Sequence, residues 1–437
     1  MDPIQSSSTT FQLQARSHQR QRLNSYDYIS QMPDEVLILI LARMPIKYAV
    51  ATSSLATRWR YLWRDLRQLN FDGRETKRKK YIKQVNSVIK SYNHPTVNDF
   101  RISCRLNLKH KHAINKWIKF AVKKKVEFLE LDLTDPCPYK TSRDGIKSEY
   151  TRSNARCFPM VKKVLPNLKK LILKDVIVRK GVFEAFLKNS PHLEMIAIED
   201  PVYMDHIHLS GQCCNLKCFQ IVDTEYGYVR SVNLSDLDLV SFTFRGYDID
   251  LRLAHLPKLN ELDLDLGGMK IENVFGRISS CVLSLQSLSL HVNQPEGYLI
   301  HVYLPRLPNL KKLKLAFGGT FNDCLVLLDA VLSACPNLET FSIKLICILT
   351  MAPIIHKRRA EDATNAHKHL KLVEMAGYKG RKCDFELAAY ILQTPAVALK
   401  KVVIAIARWD SKGEEAARCS AERIKSIKPQ GVELVIV

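Results

Sequence analysis

Leu307-Pro308-Asn309-Leu310-Lys311-Lys312-Leu313-Lys314-Leu315 sets apolar residues at Leu310, Leu313 and Leu315, behind a proline-containing lead-in. Leu313 and Leu315 alternate with polar residues, as one buried face of a strand requires. Pro308 ends whatever precedes it and sets up an extended entry. The same apolar-x-x-apolar-x-apolar pattern occurs eleven times in series, beginning with Phe128/Leu131/Leu133, Leu168/Leu171/Leu173 and Leu193/Ile196/Ile198. It continues through Leu216/Phe219/Ile221, Leu239/Phe242/Phe244, Leu259/Leu262/Leu264 and Leu285/Leu288/Leu290, and closes with Leu338/Phe341/Ile343, Leu370/Val373/Met375 and Leu399/Val402/Ile404. Near-identical lead-ins announce several copies: Leu165-Pro166-Asn167-Leu168, Leu256-Pro257-Lys258-Leu259 and Cys335-Pro336-Asn337-Leu338. Most intervals are roughly 20 to 30 residues, so each copy is a small unit that buries its apolar face only by stacking on its neighbours.

That interval is the range of leucine-rich repeats, in which each unit adds a short strand followed by a helical or irregular return. Regular repeats of this kind carry an Asn or Cys three residues after the last strand leucine. Here the place is taken by Val176, Pro201, Thr224, Tyr247, Gly267 and Gly318, and Asn293 alone fits. The expectation is an irregular, twisted solenoid. Residues between and beside the inward positions alternate onto its outer, concave face. They include Glu130 and Asp132; Lys170, Ile172 and Lys174; Met195 and Ala197; and Ser241, Thr243 and Arg245. Glu261, Asp263 and Asp265 form an acidic rung, and Lys312 and Lys314 a basic one. Lys170, Lys174, Arg245, Glu261, Asp263, Asp265, Lys312 and Lys314 are the candidate target-binding residues, suited to a protein ligand of alternating charge. A nucleic-acid groove would instead want Lys and Arg along its whole length. The competing reading leaves these side chains solvated and gives recognition to loops.

A second unit lies upstream. Asp27-Tyr28-Ile29-Ser30-Gln31-Met32-Pro33-Asp34-Glu35 leads into the wholly apolar Val36-Leu37-Ile38-Leu39-Ile40-Leu41. Pro33 suits a first helical position, and Asp34 and Glu35 suit the positive end of the helix dipole. Met44-Pro45-Ile46-Lys47 separates this from a second helical stretch, where Ala51, Leu55 and Trp59 fall at i, i+4 and i+8. A helix apolar all round is buried on several sides, and some fifty residues are too few to enclose that surface. Either the rest of the chain or a partner protein covers it.

This segment resembles an F-box of the plant kind. The resemblance rests on Ile29, Ser30, Pro33 to Leu37, Ile40, Leu41, Pro45, Lys47, Ala49, Val50, Thr52, Ser53, Arg58, Trp59, Leu62, Trp63, Leu69, Phe71 and Asp72. Met32 and Met44 stand where leucine is usual, a swap that roughly conserves volume. At the other end His369 to Gly380, Glu386 to Leu392 and Leu399 to Ile404 read as strand, helix, strand. They resemble the FBD domain that ends many plant F-box/leucine-rich-repeat proteins. The resemblance implies a substrate-recognition subunit of an SCF-type ubiquitin ligase. Its F-box would dock a Skp-type adaptor and, through it, a cullin, and its repeats would hold an unknown target protein. The positions matching the adaptor-contacting part of the motif are Met32, Pro33, Val36, Leu37, Ile40, Leu41, Pro45, Ala49, Val50, Leu55, Trp59 and Trp63. The pattern alone does not separate those that face the adaptor from those that face the interior.

Composition fits this reading. A chain of 437 residues is too long for one ordinary core, and no apolar run approaches the ~18 residues of a bilayer span. The first 25 residues lack the apolar region of a secretory signal, which points to the nucleus or cytoplasm. The formal charge of +22 is concentrated partly in Lys77-Arg78-Lys79-Lys80, Lys123-Lys124-Lys125 and Lys357-Arg358-Arg359, the first compatible with nuclear import. Twelve cysteines carry no Cys-x-x-Cys pair, and His206/His208 lacks a third ligand placed by sequence, so neither metal nor cofactor is expected. No phosphate loop, Gly-x-Ser-x-Gly elbow or His-Glu-x-x-His occurs, so an enzyme is not expected. Two non-enzymatic alternatives remain: a scaffold acting outside the ligase, and a basic nuclear protein binding nucleic acid.

The fold class expected is α/β, with small all-α F-box helices, an irregular leucine-rich-repeat solenoid and an α/β C-terminal cap. The expected divisions are a disordered arm at 1–25, the F-box at 26–72, and a basic helical linker with a first irregular repeat at 73–127. Leucine-rich repeats at 128–350, a basic loop at 351–367 and the FBD-like cap at 368–437 follow.

Overall fold

The computed structural model describes residues 28–106, 108–134, 165–176, 180–201, 204–211, 215–223, 227–267, 271–293, 304–320, 330–349, 368–393, 398–407 and 411–437. The expected arm at 1–25, the basic loop at 351–367 and the Lys357-Arg358-Arg359 run lie outside these residues.

Three short helices open the described chain: α1 (Tyr28–Gln31), α2 (Asp34–Ala42) and α3 (Ile46–Ala51). Pro33 precedes α2 and Pro45 precedes α3, each with an extended ψ, and neither proline has an N–H to leave unpaired. Their carbonyls accept the first helical bonds, from Val36 and Leu37 at one end and from Tyr48 and Ala49 at the other. The second stretch does not continue as one helix. It stops at Ala51 and goes on as short 3-10 turns at Thr52–Ser54, Arg58–Arg60 and Leu62–Asp65. The expected face of Ala51, Leu55 and Trp59 is therefore not formed: Trp59 is buried while Ala51 and Leu55 are exposed. Thr52 and Ser54 contribute by bonding back to the carbonyls of Ala49 and Ala51, a local alternative to helix propagation.

Among the described residues, fourteen strands then line up in a single parallel sheet, in the order β1-β2-β3-β4-β5-β7-β9-β11-β12-β13-β14-β15-β16-β17. It starts at β1 (Gln68–Asp72), inside the expected F-box range, and β2 (Asp99–Ser103), inside the range expected to hold a basic helical linker and a first irregular repeat. β3 (Phe128–Asp132), β4 (Lys170–Lys174), β5 (Met195–Glu199), β7 (Cys218–Val222), β9 (Ser241–Gly246) and β11 (Glu261–Leu266) carry it onward. β12 (Ser287–Asn293), β13 (Lys312–Thr320), β14 (Thr340–Leu349), β15 (Leu372–Tyr378), β16 (Lys401–Ile406) and β17 (Glu433–Ile436) complete it. Because one strand follows another with a return between each, the succession is consistent with a solenoid.

The register holds at the two inward positions of every strand and shifts only beyond them, after Phe317 in β13 and after Ala376 in β15. Leu129, Leu171, Ile196, Phe219, Phe242, Leu262, Leu288, Leu313, Phe341 and Val373 form one buried row. Leu131, Leu173, Ile198, Ile221, Phe244, Leu264, Leu290, Leu315, Ile343 and Met375 form the next. These rows are the last two apolar positions of each sequence copy, with one correction. In the first copy Leu129 pairs with Leu171, so the inward position belongs to Leu129, and Val126 takes the lead-in place assigned to Phe128. Phe128 instead sits under the Arg101 guanidinium, 4.4 Å from its ring centre.

The returns differ along the chain. Helices α4 (Arg78–Ser91), α5 (Lys111–Lys123) and α6 (Lys180–Lys188) serve the first repeats; α7 (Ile271–Ile278), α8 (Lys382–Gln393) and α9 (Ser411–Glu422) serve later ones. Between them the returns are strands: β6 (His206–Leu209), β8 (Ser231–Ser235) and β10 (Asp250–Ala254) form a second parallel sheet in the order β10-β8-β6. One continuous core fills the space between returns and main sheet. The expected C-terminal cap is built from β15, α8, β16, α9 and β17, and its strands extend the same parallel sheet. Strand exits use left-handed residues where the missing Asn or Cys would sit nearby: Asp175, Asp200 and Gly267 have φ of 52°, 49° and 46°. Asp tolerates that conformation through local bonding, and at Gly267 a Cβ would lie 2.7 Å from the Gly246 carbonyl.

Candidate functional site

Helix α2 divides its apolar residues between two faces. Leu37 and Leu41, four apart, are fully buried and pack inward. Val36, Leu39 and Ile40, at i, i+3 and i+4, point away, and Leu39 is 65% exposed. Beyond them Met44, Tyr48, Leu55 and Tyr61 are also exposed, Leu55 at 71%. Large apolar side chains left open on consecutive small elements make this a candidate docking face. Arg58 braces it from the side: its guanidinium pairs with Asp34 at 2.6 Å and donates to the Met32 carbonyl at 2.5 Å, tying the later turns to the start of α2.

The motif-derived positions therefore separate. Pro33, Val36, Ile40, Pro45 and Leu55 are exposed, Met32 and Val50 are half-buried, and Leu37, Leu41, Ala49, Trp59 and Trp63 lie in the interior. The interior five build the fold that presents the others. Leu39, Met44 and Tyr48 belong to the exposed set although the motif did not single them out. Helical spacing carried the signal for Leu39, which falls on the Val36/Ile40 side once Leu37 and Leu41 are taken as the inner pair.

On the outward face of the main sheet the register brings charged residues of neighbouring strands together. Two members of the acidic rung are engaged, one from each side. Asp263 accepts from Arg245 at 2.6 Å, and Asp265 meets His291 Nδ1 at 2.5 Å. The hydrogen bond to Asp263 holds the Arg245 guanidinium above its ordinary pKa. Lys174 pairs with Glu199 at 2.8 Å; burial works against its charge, but the bond to Glu199 raises it overall. Ser103 donates to Asp132 at 3.0 Å and Ser342 to Glu374 at 2.5 Å. Of the eight candidate residues, Lys174, Arg245, Asp263 and Asp265 are thus committed to one another or to neighbours. Lys170, Glu261, Lys312 and Lys314 are exposed and, among the described residues, have no ion-pair partner. Ala197, expected to face outward, is buried, its methyl group lying between the longer Ile172 and Gln220 of adjacent strands.

Among the described residues no group of three His, Cys, Asp or Glu gathers as a metal site would require. His206, on β6, faces Ser231 with Nδ1 at 2.8 Å from the hydroxyl. No helix among the described residues is long and apolar enough to cross a membrane.

An F-box-like helical unit followed by a parallel array of leucine-rich strands defines the class of this protein. The F-box domain model matches residues 29–70. The chain belongs to the family described as At1g61320/AtMIF1, LRR domain, whose model matches residues 88–433 and so runs through the expected cap. Among its relatives is the FBD-associated F-box protein At5g22730 of Arabidopsis thaliana, 25% identical over 433 residues, covering 86% of this chain and 87% of the relative. The F-box/FBD/LRR-repeat protein At5g22660 of the same plant is 26% identical over 360 residues, covering 74% and 78%. The putative F-box/LRR-repeat protein At3g42770, also of Arabidopsis thaliana, is 24% identical over 414 residues, covering 87% and 75%. Proteins of this kind are generally non-catalytic adaptors.

Proposed function

We propose that this protein is the substrate-recognition subunit of an SCF-type ubiquitin ligase. The F-box docks a Skp-type adaptor, and a cullin through it, while the repeat solenoid holds a target protein. The observation that carries the reading is the open apolar face of Val36, Leu39, Ile40, Tyr48 and Leu55, on a domain whose own interior is already filled by Leu37, Leu41, Trp59 and Trp63. Catalysis in such an assembly is by proximity. Holding a target lysine near a charged ubiquitin carrier raises its effective concentration, and no reacting group of this chain is required.

The direct fusion of F-box to array supports a rigid spacing between adaptor and target, because β1 pairs with β2 along its whole length. The FBD label in two relatives' names supports reading 368–437 as an FBD-like cap closing the sheet. The exposed Lys77–Lys80 run supports action in the nucleus. On the outward face, Lys170, Glu261, Lys312 and Lys314 keep charges available to a target.

Co-expression with a plant Skp-type adaptor followed by gel filtration tests the reading. Wild type is expected to elute as a stoichiometric complex, and Leu55→Glu to elute alone with unchanged melting temperature. If wild type also elutes alone, the scaffold alternative takes its place. Retention on DNA that falls steeply with salt would instead favour the nucleic-acid reading.

A further inference from the structure

The turns that enter successive strands, around 257–260, 283–286, 308–311 and 337–339 together with His369, enclose a groove of about 730 Å³. It lies at the edge of the main sheet, where the strands begin, and not on the outward face. The carbonyls at the strand starts are each taken by two N–H groups. The Asn260 carbonyl accepts the N–H groups of Gln286 and Ser287, that of Gln286 accepts Lys311 and Lys312, and that of Lys311 accepts Glu339 and Thr340. Two lead-in asparagines brace the turns: Asn309 donates to the Leu283 carbonyl at 2.7 Å, and Asn337 to that of Pro308 at 2.7 Å. Two charges of the lining are also taken, Lys258 by Asp238 at 2.6 Å and Glu339 by Lys371 at 2.7 Å.

What remains is a specific set. The side-chain amides of Asn260 and Gln286 have no hydrogen-bond partner among the described residues, and Lys311 is an exposed cation that forms no ion pair among them, although its field reaches Glu339 on the next rung, whose own ion pair is with Lys371. A side-chain amide offers a donor and an acceptor together, the same pair a peptide unit presents. Asn260, Gln286 and Lys311 sit on three adjacent rungs, and strands lie ~4.8 Å apart, so the row spans roughly 10 Å. That is the length of about three residues of extended chain at ~3.3 Å each.

We infer that this groove binds an extended peptide segment of the target protein bearing an acidic side chain, with Asn260 and Gln286 pairing to its main chain and Lys311 to its carboxylate. The inference rests on the reading of the repeats as target-holding and assigns part of that task to the strand-entry edge.

Selection of short random peptides displayed on phage against the immobilised full-length chain tests it. Wild type is expected to enrich peptides carrying Asp or Glu. Lys311→Glu is expected to shift the enriched charge toward Lys and Arg. The double change Asn260→Ala/Gln286→Ala is expected to weaken a selected acidic peptide about tenfold, or roughly 1.4 kcal/mol. All three side chains lie on surface turns, and unchanged melting temperatures exclude misfolding as the cause. Absence of any enrichment, an enriched set without acidic bias, or a set that survives these substitutions unaltered overturns the inference. The last result would still leave target binding by the repeats standing. Failure of the F-box to bind an adaptor would sink the ligase reading while leaving the peptide selection as it is.

Discussion

Leu37 and Leu39 are two residues apart on α2, and truncating each to alanine is expected to have opposite consequences. Leu37 is 0% exposed, inside the core that joins α2 to the turns carrying Trp59 and Trp63. Its truncation removes packed methyl groups and leaves a partial cavity, costing about 2–5 kcal/mol of stability. Leu39 is 65% exposed in the isolated chain, so Leu39→Ala is expected to change stability by no more than ~0.5 kcal/mol. On docking, that exposed surface is buried. Full burial of a leucine side chain contributes about 1.5–3 kcal/mol, and scaling by the exposed share leaves roughly 1–2 kcal/mol of adaptor affinity at stake. This corresponds to a dissociation constant about 5- to 30-fold higher. Urea unfolding reads the first quantity and titration calorimetry with a Skp-type adaptor the second. Equal destabilisation by the two substitutions would refute the division of α2 into inner and outer faces. An unchanged affinity for Leu39→Ala would refute the outer face as the docking surface.

Other outcomes follow from single sites. Asp384 is fully buried and accepts the N–H groups of Lys379 and Arg381 and the Arg381 guanidinium, so Asp384→Ala is expected to cost about 3–5 kcal/mol in thermal unfolding. A loss under about 1 kcal/mol would contradict that role. Burial pushes the Cys335 thiol up to about 12, whereas Cys419 is exposed. Maleimide at mildly alkaline pH should therefore label Cys419 and spare Cys335 until the chain unfolds, and equal rates would contradict it. The raised Cys335 value also means that its stabilising effect is complete below the ordinary thiol range and is lost as pH rises through the folded value. The Arg74 hydrogen bond holds the Asp72 carboxyl below its ordinary value. That contribution is present above the ordinary carboxylate range and disappears as pH falls through the lowered one. Both side chains are about half exposed, so it amounts to less than about 1 kcal/mol. In Arg74→Ala the Asp72 titration followed by NMR should move up, and an unmoved titration would remove the pair from the account.

The two buried rows of the main sheet were legible because a leucine, isoleucine or phenylalanine recurs at the same two places behind Leu-Pro-x-Leu lead-ins. The reading slipped at one copy, the first. Val126, not Phe128, heads its unit, since Phe128, Leu129 and Leu131 offer two apolar alternations and the sequence does not say which is inward. β1 and β2 were passed over for another reason: Leu69 and Phe71 were absorbed into the F-box pattern, and Phe100 and Ile102, though they follow Pro95 and Val97 at the usual spacing, fell in the stretch assigned to the basic linker and first irregular repeat. The back sheet of β6, β8 and β10 is made of four- and five-residue alternations such as His206-Ile207-His208-Leu209. A period of two fixes which side chains are buried but not which sheet they join. At the F-box, a motif mixes residues that build the domain with residues that face outward. Trp59 and Leu55 stand in the same pattern, and only the break of the helix after Ala51 sends one inward and the other out. The mutual pairing of Arg245, Asp263, Asp265 and His291 was invisible for another reason, since it depends on register between strands far apart in sequence.

Hydrogen–deuterium exchange of the full chain, alone and with a stoichiometric Skp-type adaptor, tests the central claim most directly. The account predicts added protection of amides within 34–55, around Val36, Leu39, Ile40, Tyr48 and Leu55, with exchange in β2 to β17 unchanged. No added protection there, or protection confined to the outward face of the sheet, would contradict it.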